Sequence, residues 1–177
     1  IGSAKQGAES LGVNANIAAL LVGLVSTMNG ISRPINGAIF DRFGLIPVML
    51  IQAAITALTM LALAISFSGS LPQLYFVAAI MIAFPYGSAP VMASAFARQR
   101  YGAEGFAKNL GVVNLTIAAG SMISIAIGLI VGSAGDGIND DTIYLVLAFL
   151  AVVAFASVFL FRRVYTEDLK KIDEELQ

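Results

Sequence analysis

The sequence contains no cysteine and no histidine among its 177 residues. Disulfide bonds, thiolate or imidazole metal sites, and catalysis by a cysteine or a histidine are therefore excluded for this stretch of chain. We predict no metal site, no cofactor and no enzymatic activity.

Charge is also scarce, because Asp, Glu, Lys and Arg make up 12% of the residues, against roughly 25% in an average soluble domain.

Hydrophobic residues account for 58% of the chain, and the mean hydropathy is +0.87. A soluble protein of this length cannot bury so much apolar surface. Four stretches carry no charged residue: 10–32, 43–97, 109–135 and 142–161. A membrane-spanning helix needs about 20 apolar residues, and the turn cluster SFSGSLPQ divides the longest stretch in two. The sequence thus predicts an all-α, polytopic membrane helical bundle with five transmembrane helices, near 13–40, 46–67, 72–97, 108–132 and 142–164.

The two ends of the chain are predicted to lie outside this bundle. Residues 1–12 are expected to form an extracytoplasmic loop that includes the end of a preceding helix. Residues 166–177 are expected to form a polar cytoplasmic tail with a short helix that begins at Thr166. The chain starts at Ile1 and shows no signal peptide, so we expect it to be the C-terminal part of a longer protein.

Positive charges are distributed unequally between the two sides of the predicted bundle. Eight of the ten cations fall on one side: Arg42, Arg98, Arg100, Lys108, Arg162, Arg163, Lys170 and Lys171. The positive-inside rule makes that side cytoplasmic. We therefore predict an integral protein of the inner or plasma membrane, in contact with the lipid bilayer, with its C-terminus in the cytoplasm.

Arg33 is the one cation inside a predicted span. It precedes Asp41 by eight residues, which at about 1.5 Å per residue places its backbone roughly 12 Å inside the bilayer. An arginine at the centre of a membrane costs at least about 2.5–3.5 kcal/mol. Three interpretations remain open: Arg33 faces a water-filled cavity, forms an ion pair with a helix outside this chain, or extends to the membrane surface.

The neighbours of Arg33 favour the cavity. Ser26, Asn29, Arg33 and Asn36 recur at helical spacing as a polar stripe, and Gly23, Gly30 and Gly37 repeat every seven residues beside it. Pro34 is expected to disrupt the helix and to free backbone groups, as happens in helices that line a cavity. Arginine carries a rigid fork of donors that matches a carboxylate. We therefore predict that Arg33 and Asn29 bind an anion.

The segment GAIFDRFG supplies the pattern Gly-xxx-Asp-Arg-x-Gly at the end of the same span, through Gly37, Asp41, Arg42 and Gly44. This pattern resembles the signature of the major facilitator superfamily, which follows the second helix of each six-helix half. The resemblance implies that these four residues form part of a gate on the cytoplasmic side.

A longer match covers most of the chain. The segment NGISRPINGAIFDRFG looks like the eighth helix of the oxalate:formate antiporters and their monocarboxylate-carrier relatives, in which the arginine contacts the substrate anion. Arg33 takes that position. The resemblance implies that the chain comprises helices eight to twelve of a transporter, with the missing N-terminal half of the same chain as its partner.

One feature departs from the oxalate exchangers. Their eleventh helix carries a lysine eight or nine residues after an opening asparagine, but counting from Asn109 the corresponding residues are Ile117 and Ala118. A second cation to hold a dicarboxylate is therefore missing there. This difference favours a monoanion as substrate.

Three further residues are candidates for contact with the substrate. Asn114 and Ser121 lie on one face of the fourth predicted span, where small residues serve helix packing equally well. Tyr86 lies between Pro85 and Pro90, which are expected to bend or unwind the third span. It corresponds to an aromatic residue that faces substrate in the resembling family, although a tyrosine can also simply fill space.

Together these features predict a fragment of a secondary active transporter that moves a small organic anion, most simply a monocarboxylate, by alternating access. The transport could be antiport or proton-coupled. The alternative is a structural or regulatory membrane subunit without transport activity. No nucleic-acid partner is predicted.

Overall fold

The computed structural model describes residues 2–133 and 140–175, and they form five α-helices. These are α1 (Gly2–Ser10), α2 (Ala15–Phe43), α3 (Leu45–Ser68), α4 (Pro72–Ser133) and α5 (Asp140–Glu175). Helix α4 is interrupted at Gly102, whose backbone is non-helical with φ 65° and ψ −173°. It therefore consists of two helices, 72–101 and 103–133, which we call α4a and α4b.

The helices have the length and composition of membrane spans. Four helical segments of the described chain qualify: Ala15–Phe43, Leu45–Ser68, Pro72–Ile123 and Leu145–Thr166. The third of these contains the interruption at Gly102 and covers α4a and much of α4b. The prediction of an all-α membrane helical bundle is confirmed.

Two glycines make the shortest connections of the bundle. Gly44 alone separates α2 from α3, with φ 78°, and its N–H donates a hydrogen bond to the Phe40 carbonyl oxygen at 2.8 Å. Gly102 alone separates α4a from α4b. A positive φ is open to glycine at little steric cost, so each residue permits a sharp turn that another side chain would strain. Gly44 has this role within the Gly-xxx-Asp-Arg-x-Gly pattern.

The ends of several helices differ from the predictions. Residues 2–10 form α1 and not a loop, and its Lys5 and Glu9 make an ion pair at 3.7 Å. Helix α5 continues without interruption through Glu175, so the prediction of a separate helix starting at Thr166 is wrong. Lys, Glu, Gln and Arg are good helix formers, and a helix can therefore continue past the point where its hydrophobic span ends.

The prolines do not unwind their helices. Pro34 lies within α2, and Pro85 and Pro90 lie within α4a, whereas the non-helical backbone of α4 is at Gly102, beyond both prolines. The hydroxyls of Ser88 and Ser94 donate to the carbonyl oxygens of Pro85 and Pro90, at 2.6 and 2.8 Å. The prediction that Pro34 disrupts its helix is therefore wrong. Of the two alternatives predicted for Pro85 and Pro90, unwinding is wrong and a bend stays a prediction.

Two apolar clusters hold the bundle together. One joins α1, α2, α3 and α4a through buried residues that include Ala8, Leu21, Leu63 and Tyr75. The Tyr75 hydroxyl also donates to the Ala4 carbonyl oxygen at 3.1 Å and thereby fixes α1. The other cluster consists of Phe40, Leu45 and Val48, with Met92, Phe96, Phe161 and Tyr165 packed against it. It lies beside Gly44, and we call this end of the bundle the Gly44 end.

A pair of buried amides connects α2 to α3. The Gln52 side-chain N–H donates to Asn36 Oδ1, and Asn36 Nδ2 donates to the Ser32 carbonyl oxygen at 2.8 Å. Asn36 is fully buried, and Gln52 is 6% exposed. Both residues lie eight positions from Gly44, so α2, α3 and the amide pair form a frame shaped like the letter A with Gly44 at its apex.

Replacing Asn36 with leucine is expected to destabilise the bundle by about 1–3 kcal/mol, because the buried Gln52 amide loses its partner. Thermal unfolding in detergent measures the change. The double variant Asn36→Leu/Gln52→Leu should recover much of the loss, because neither amide then remains. Asn16→Leu, at an exposed asparagine of the same helix, is the matched control. Equal destabilisation in the single and the double variant would contradict a direct Asn36–Gln52 interaction.

Candidate functional site

A cavity of about 480 Å³ lies between α2 and α4a at the Gly44 end. Its polar and charged lining residues are Arg33, Asp41, Ser94 and Arg98. The remaining lining residues are small or apolar: Gly37, Phe40, Pro90, Val91, Ala95 and Phe106. Phe106 comes from the start of α4b. The cavity thus combines two arginines and one carboxylate with mostly apolar walls.

The contacts between α2 and α4a determine how the two walls align. A Cβ built on Gly87 would lie 2.5 Å from the Asn29 carbonyl oxygen, and one built on Gly37 would lie 3.9 Å from Val91 Cγ1. Positions 29 and 37 of α2 are therefore level with 87 and 91 of α4a, and the two helices run in the same direction. Arg33 is four residues before Gly37, and Arg98 is seven residues after Val91. At about 1.5 Å per residue, the Gly37–Val91 contact places their backbones roughly 16 Å apart along the cavity, and the Asn29–Gly87 contact places them roughly 10 Å apart.

Arg33 is exposed and lines this cavity. Among the residues that the structure describes, it has no carboxylate within ion-pair distance. Its place in the cavity lining agrees with the interpretation in which its guanidinium faces a cavity, while an ion pair with a helix outside this chain and extension to the membrane surface stay untested. The donors of Arg33 are available to a ligand there.

The polar stripe on α2 divides into two lines. At 3.6 residues per turn, Ser26 aligns with Arg33, whereas Asn29 aligns with Asn36 about 40–60° away. Ser26 and Arg33 are exposed, while Asn36 is buried against Gln52. Asn29 faces Gly87 at the contact with α4a, and its buried Oδ1 accepts no hydrogen bond within the described chain. Asn29 therefore lies beside the cavity, at a helix contact, and its role in binding stays a prediction.

The glycines next to this stripe do not bring the described helices together. A Cβ on Gly23 or Gly30 would meet no atom within 4 Å, and only Gly37 of the three faces another helix, at Val91. The close approach between α2 and α4a occurs at Gly87 instead, where an added Cβ would overlap the Ser32 hydroxyl.

The residues of the Gly-xxx-Asp-Arg-x-Gly pattern have different surroundings. Gly37 and Asp41 line the cavity, and Gly44 forms the turn into α3. Arg42 is exposed, with its guanidinium carbon 5.4 Å from the centre of the Phe43 ring. The pattern therefore contributes one acid and one small residue to the cavity wall, while a gating role stays a prediction.

Arg98 belongs to this cavity although the sequence interpretation treated it only as one of the charges that set orientation. Gly87, Val91, Ser94 and Arg98 are spaced by four, three and four residues, which places them on one face of α4a. If the helix had been extended past Ala97, the predicted end of the span, Arg98 would have fallen on the same face as Gly87, Val91 and Ser94.

The other predicted site residues lie outside the cavity lining. Tyr86 is 68% exposed on α4a, and Asn114 and Ser121 are exposed on α4b. Ala118 is exposed as well, while the side chain of Ile117 lies outside the described residues. The contacts predicted for Tyr86, Asn114 and Ser121 with substrate stay predictions.

The comparisons with known proteins identify the family. A sequence model of the Major Facilitator Superfamily matches residues 4–176. The chain belongs to the major facilitator superfamily. Comparisons with curated proteins and with solved structures gave no match.

Membership of the major facilitator superfamily makes the chain part of an integral membrane transporter, since this superfamily consists of transporters. The four span-length helical segments agree with that assignment. The cavity between α2 and α4a carries two cations and one acid among its lining residues.

Proposed function

We propose that the protein is a secondary transporter of a small organic anion, with a monocarboxylate as substrate and Arg33 as the group that binds the carboxylate. One observation carries the proposal. Arg33 lies on a helix long enough to span a membrane, is exposed in the wall of the cavity, and has no acid partner among the described residues. Such a residue is costly in a membrane protein and commonly marks a substrate pathway.

The chemistry of the cavity supports this choice of substrate. A carboxylate can accept two parallel hydrogen bonds from one guanidinium, and a surrounding of low dielectric strengthens that attraction. The walls formed by Phe40, Val91 and Phe106 suit the apolar part of a small organic acid. Asp41, near the Gly44 end, is the single acid among the lining residues, and the sequence contains no histidine to exchange a proton. We therefore propose exchange of one anion for another as the mode of transport.

Counterflow in proteoliposomes tests the function. The full-length protein is reconstituted with unlabelled lactate inside, and labelled lactate is added outside. We expect labelled lactate to accumulate, and external pyruvate or acetate to compete with it. Lactamide has nearly the same shape without the charge and is expected not to compete. A dicarboxylate such as succinate is expected to compete weakly.

Two results would contradict the proposal. Accumulation that lactamide inhibits as well as pyruvate does would show that the charge is not recognised. Absence of counterflow for every monocarboxylate, in a preparation that binds or moves another class of solute, would assign the cavity to that class instead. Protein-free liposomes and liposomes with heat-denatured protein serve as controls for leakage.

A further inference from the structure

We infer that Arg98 forms a second anion site at the Gly44 end of the cavity, through which a single anion passes on its way between Arg33 and the solution. This inference rests on the proposed function for the identity of the cargo. The site itself rests on the position of Arg98 in the wall of the same cavity as Arg33.

The distance between the two arginines makes them successive sites for one anion. Their backbones are separated by roughly 10–16 Å along the aligned helices, and both side chains lean in the same direction, toward the N-terminal ends of parallel helices. A small monocarboxylate that accepts two hydrogen bonds from Arg33 therefore lies outside hydrogen-bond distance of Arg98. Helical side chains lean toward the N-terminal end of their helix, so Arg98 leans from the Gly44 end into the cavity.

The walls between the arginines explain why a second site is needed. Pro90, Val91 and Ala95 are apolar, and Phe40 and Phe106 complete that part of the lining. A carboxylate that leaves Arg33 loses a strong partner, and apolar surface offers it no replacement. A cation farther along the path lowers the barrier to this step and attracts anions from solution.

Asp41 keeps the second site weak. It is the single acid of the cavity lining, and the eight residues that separate it from Arg33 place it near the Gly44 end. Its negative charge reduces the attraction that Arg98 exerts on an incoming anion. An anion can therefore bind at Arg98 and leave again, as a transit site requires.

A cysteine placed between the two arginines tests the site without knowledge of the substrate. The described chain has no cysteine, so Ser94→Cys introduces one thiol into the cavity of a cysteine-free background. The thiol is reacted separately with an anionic and a cationic methanethiosulfonate of similar size. The ratio of the two rates reports the local potential, because a change in thiol reactivity affects both reagents equally. Any cysteines elsewhere in the full-length protein are first replaced by serine.

The ratio of anionic to cationic rates is expected to fall about tenfold when Arg98→Gln is added, because the loss of one unit charge near the thiol slows the anionic reagent and speeds the cationic one. Arg98→Lys should retain most of the ratio, because it retains the charge. Arg100→Gln removes a nearby exposed cation that does not line the cavity and should leave the ratio within about twofold. An unchanged ratio in Arg98→Gln overturns the inference, whatever the protein transports.

Transport kinetics then assign the site to one face of the membrane. In oriented proteoliposomes, Arg98→Gln should raise the KM for lactate about tenfold from the Gly44 side, and less than twofold from the other side. An equal change from both sides would indicate a structural effect and overturn the transit role. If wild-type protein moves no monocarboxylate but the rate ratio still falls, the anion site stands and the proposed substrate fails.

Discussion

Replacing Arg33 with glutamine is expected to lower kcat/KM for lactate counterflow by roughly 10- to 100-fold, the range that corresponds to the loss of a charged hydrogen bond. The reason is that the Arg33 guanidinium is the cation at the end of the cavity away from Gly44 and has no acid partner among the described residues. Glutamine keeps a donor and much of the side-chain length but loses the charge. Initial rates of labelled lactate uptake, measured over a range of concentrations, provide the comparison.

The effect of Arg33→Gln should appear in transport and not in folding. Because Arg33 is exposed, thermal unfolding of the variant in detergent should match that of the wild type. Arg33→Lys keeps the charge without the planar fork and should have an intermediate kcat/KM. Arg100→Gln, which removes an arginine outside the cavity, is the matched control. Normal uptake by Arg33→Gln would rule out Arg33 as the carboxylate-binding group.

Replacing Gly87 with alanine is expected to separate α2 from α4a and to destabilise the bundle by about 1–3 kcal/mol, as overpacking does. The new methyl group would lie 2.5 Å from the Asn29 carbonyl oxygen and 2.7 Å from Asn29 Oδ1, and would overlap the Ser32 hydroxyl. A backbone carbonyl cannot move aside without moving its helix. Since the same two helices form the cavity walls, transport should fall together with the unfolding temperature.

Two further variants make the Gly87 prediction specific. Ser32→Ala removes the hydroxyl that the new methyl group would overlap, so the double variant Gly87→Ala/Ser32→Ala should recover part of the lost stability. Gly23→Ala adds a methyl group to α2 where no described atom lies within 4 Å, and it should be tolerated. Wild-type unfolding temperature and transport in Gly87→Ala would show that α2 and α4a are not held at this contact.

The spans could be predicted from sequence because a bilayer requires uninterrupted apolar length, and hydropathy measures that length. The helix ends could not, because they depend on other properties. Residues 98–107 contain three charged residues, Arg98, Arg100 and Glu104, between two apolar stretches, yet they are helical on both sides of Gly102. Arginine, glutamine, lysine and alanine favour helix once a span has started it, and the turn depends on a glycine that hydropathy does not distinguish.

Candidate residues of the site could be named from the sequence where the evidence for them lies within one helix. Arg33 could be named as a candidate because the sequence of α2 by itself shows a cation within an apolar span. Arg98 could not be assigned to the same cavity, because that requires the alignment of α2 with α4a, which depends on contacts between positions more than fifty residues apart. The burial of Asn36 could not be predicted for the same reason. Its position on the polar stripe of α2 indicated a polar surface, but its partner is the side chain of Gln52 on another helix, α3.

Helices α2 and α3 meet at Gly44, and a rotation about this residue would move each helix in proportion to the distance from it. The Asn36–Gln52 bond joins the two arms eight residues from their common pivot, whereas α3 extends for 24 residues. For a rotation about Gly44, the far end of α3 therefore moves about three times as far as the amide pair does. A displacement too small to break that hydrogen bond would move the far end of α3, which packs in the first apolar cluster through Leu63, by about three times that amount.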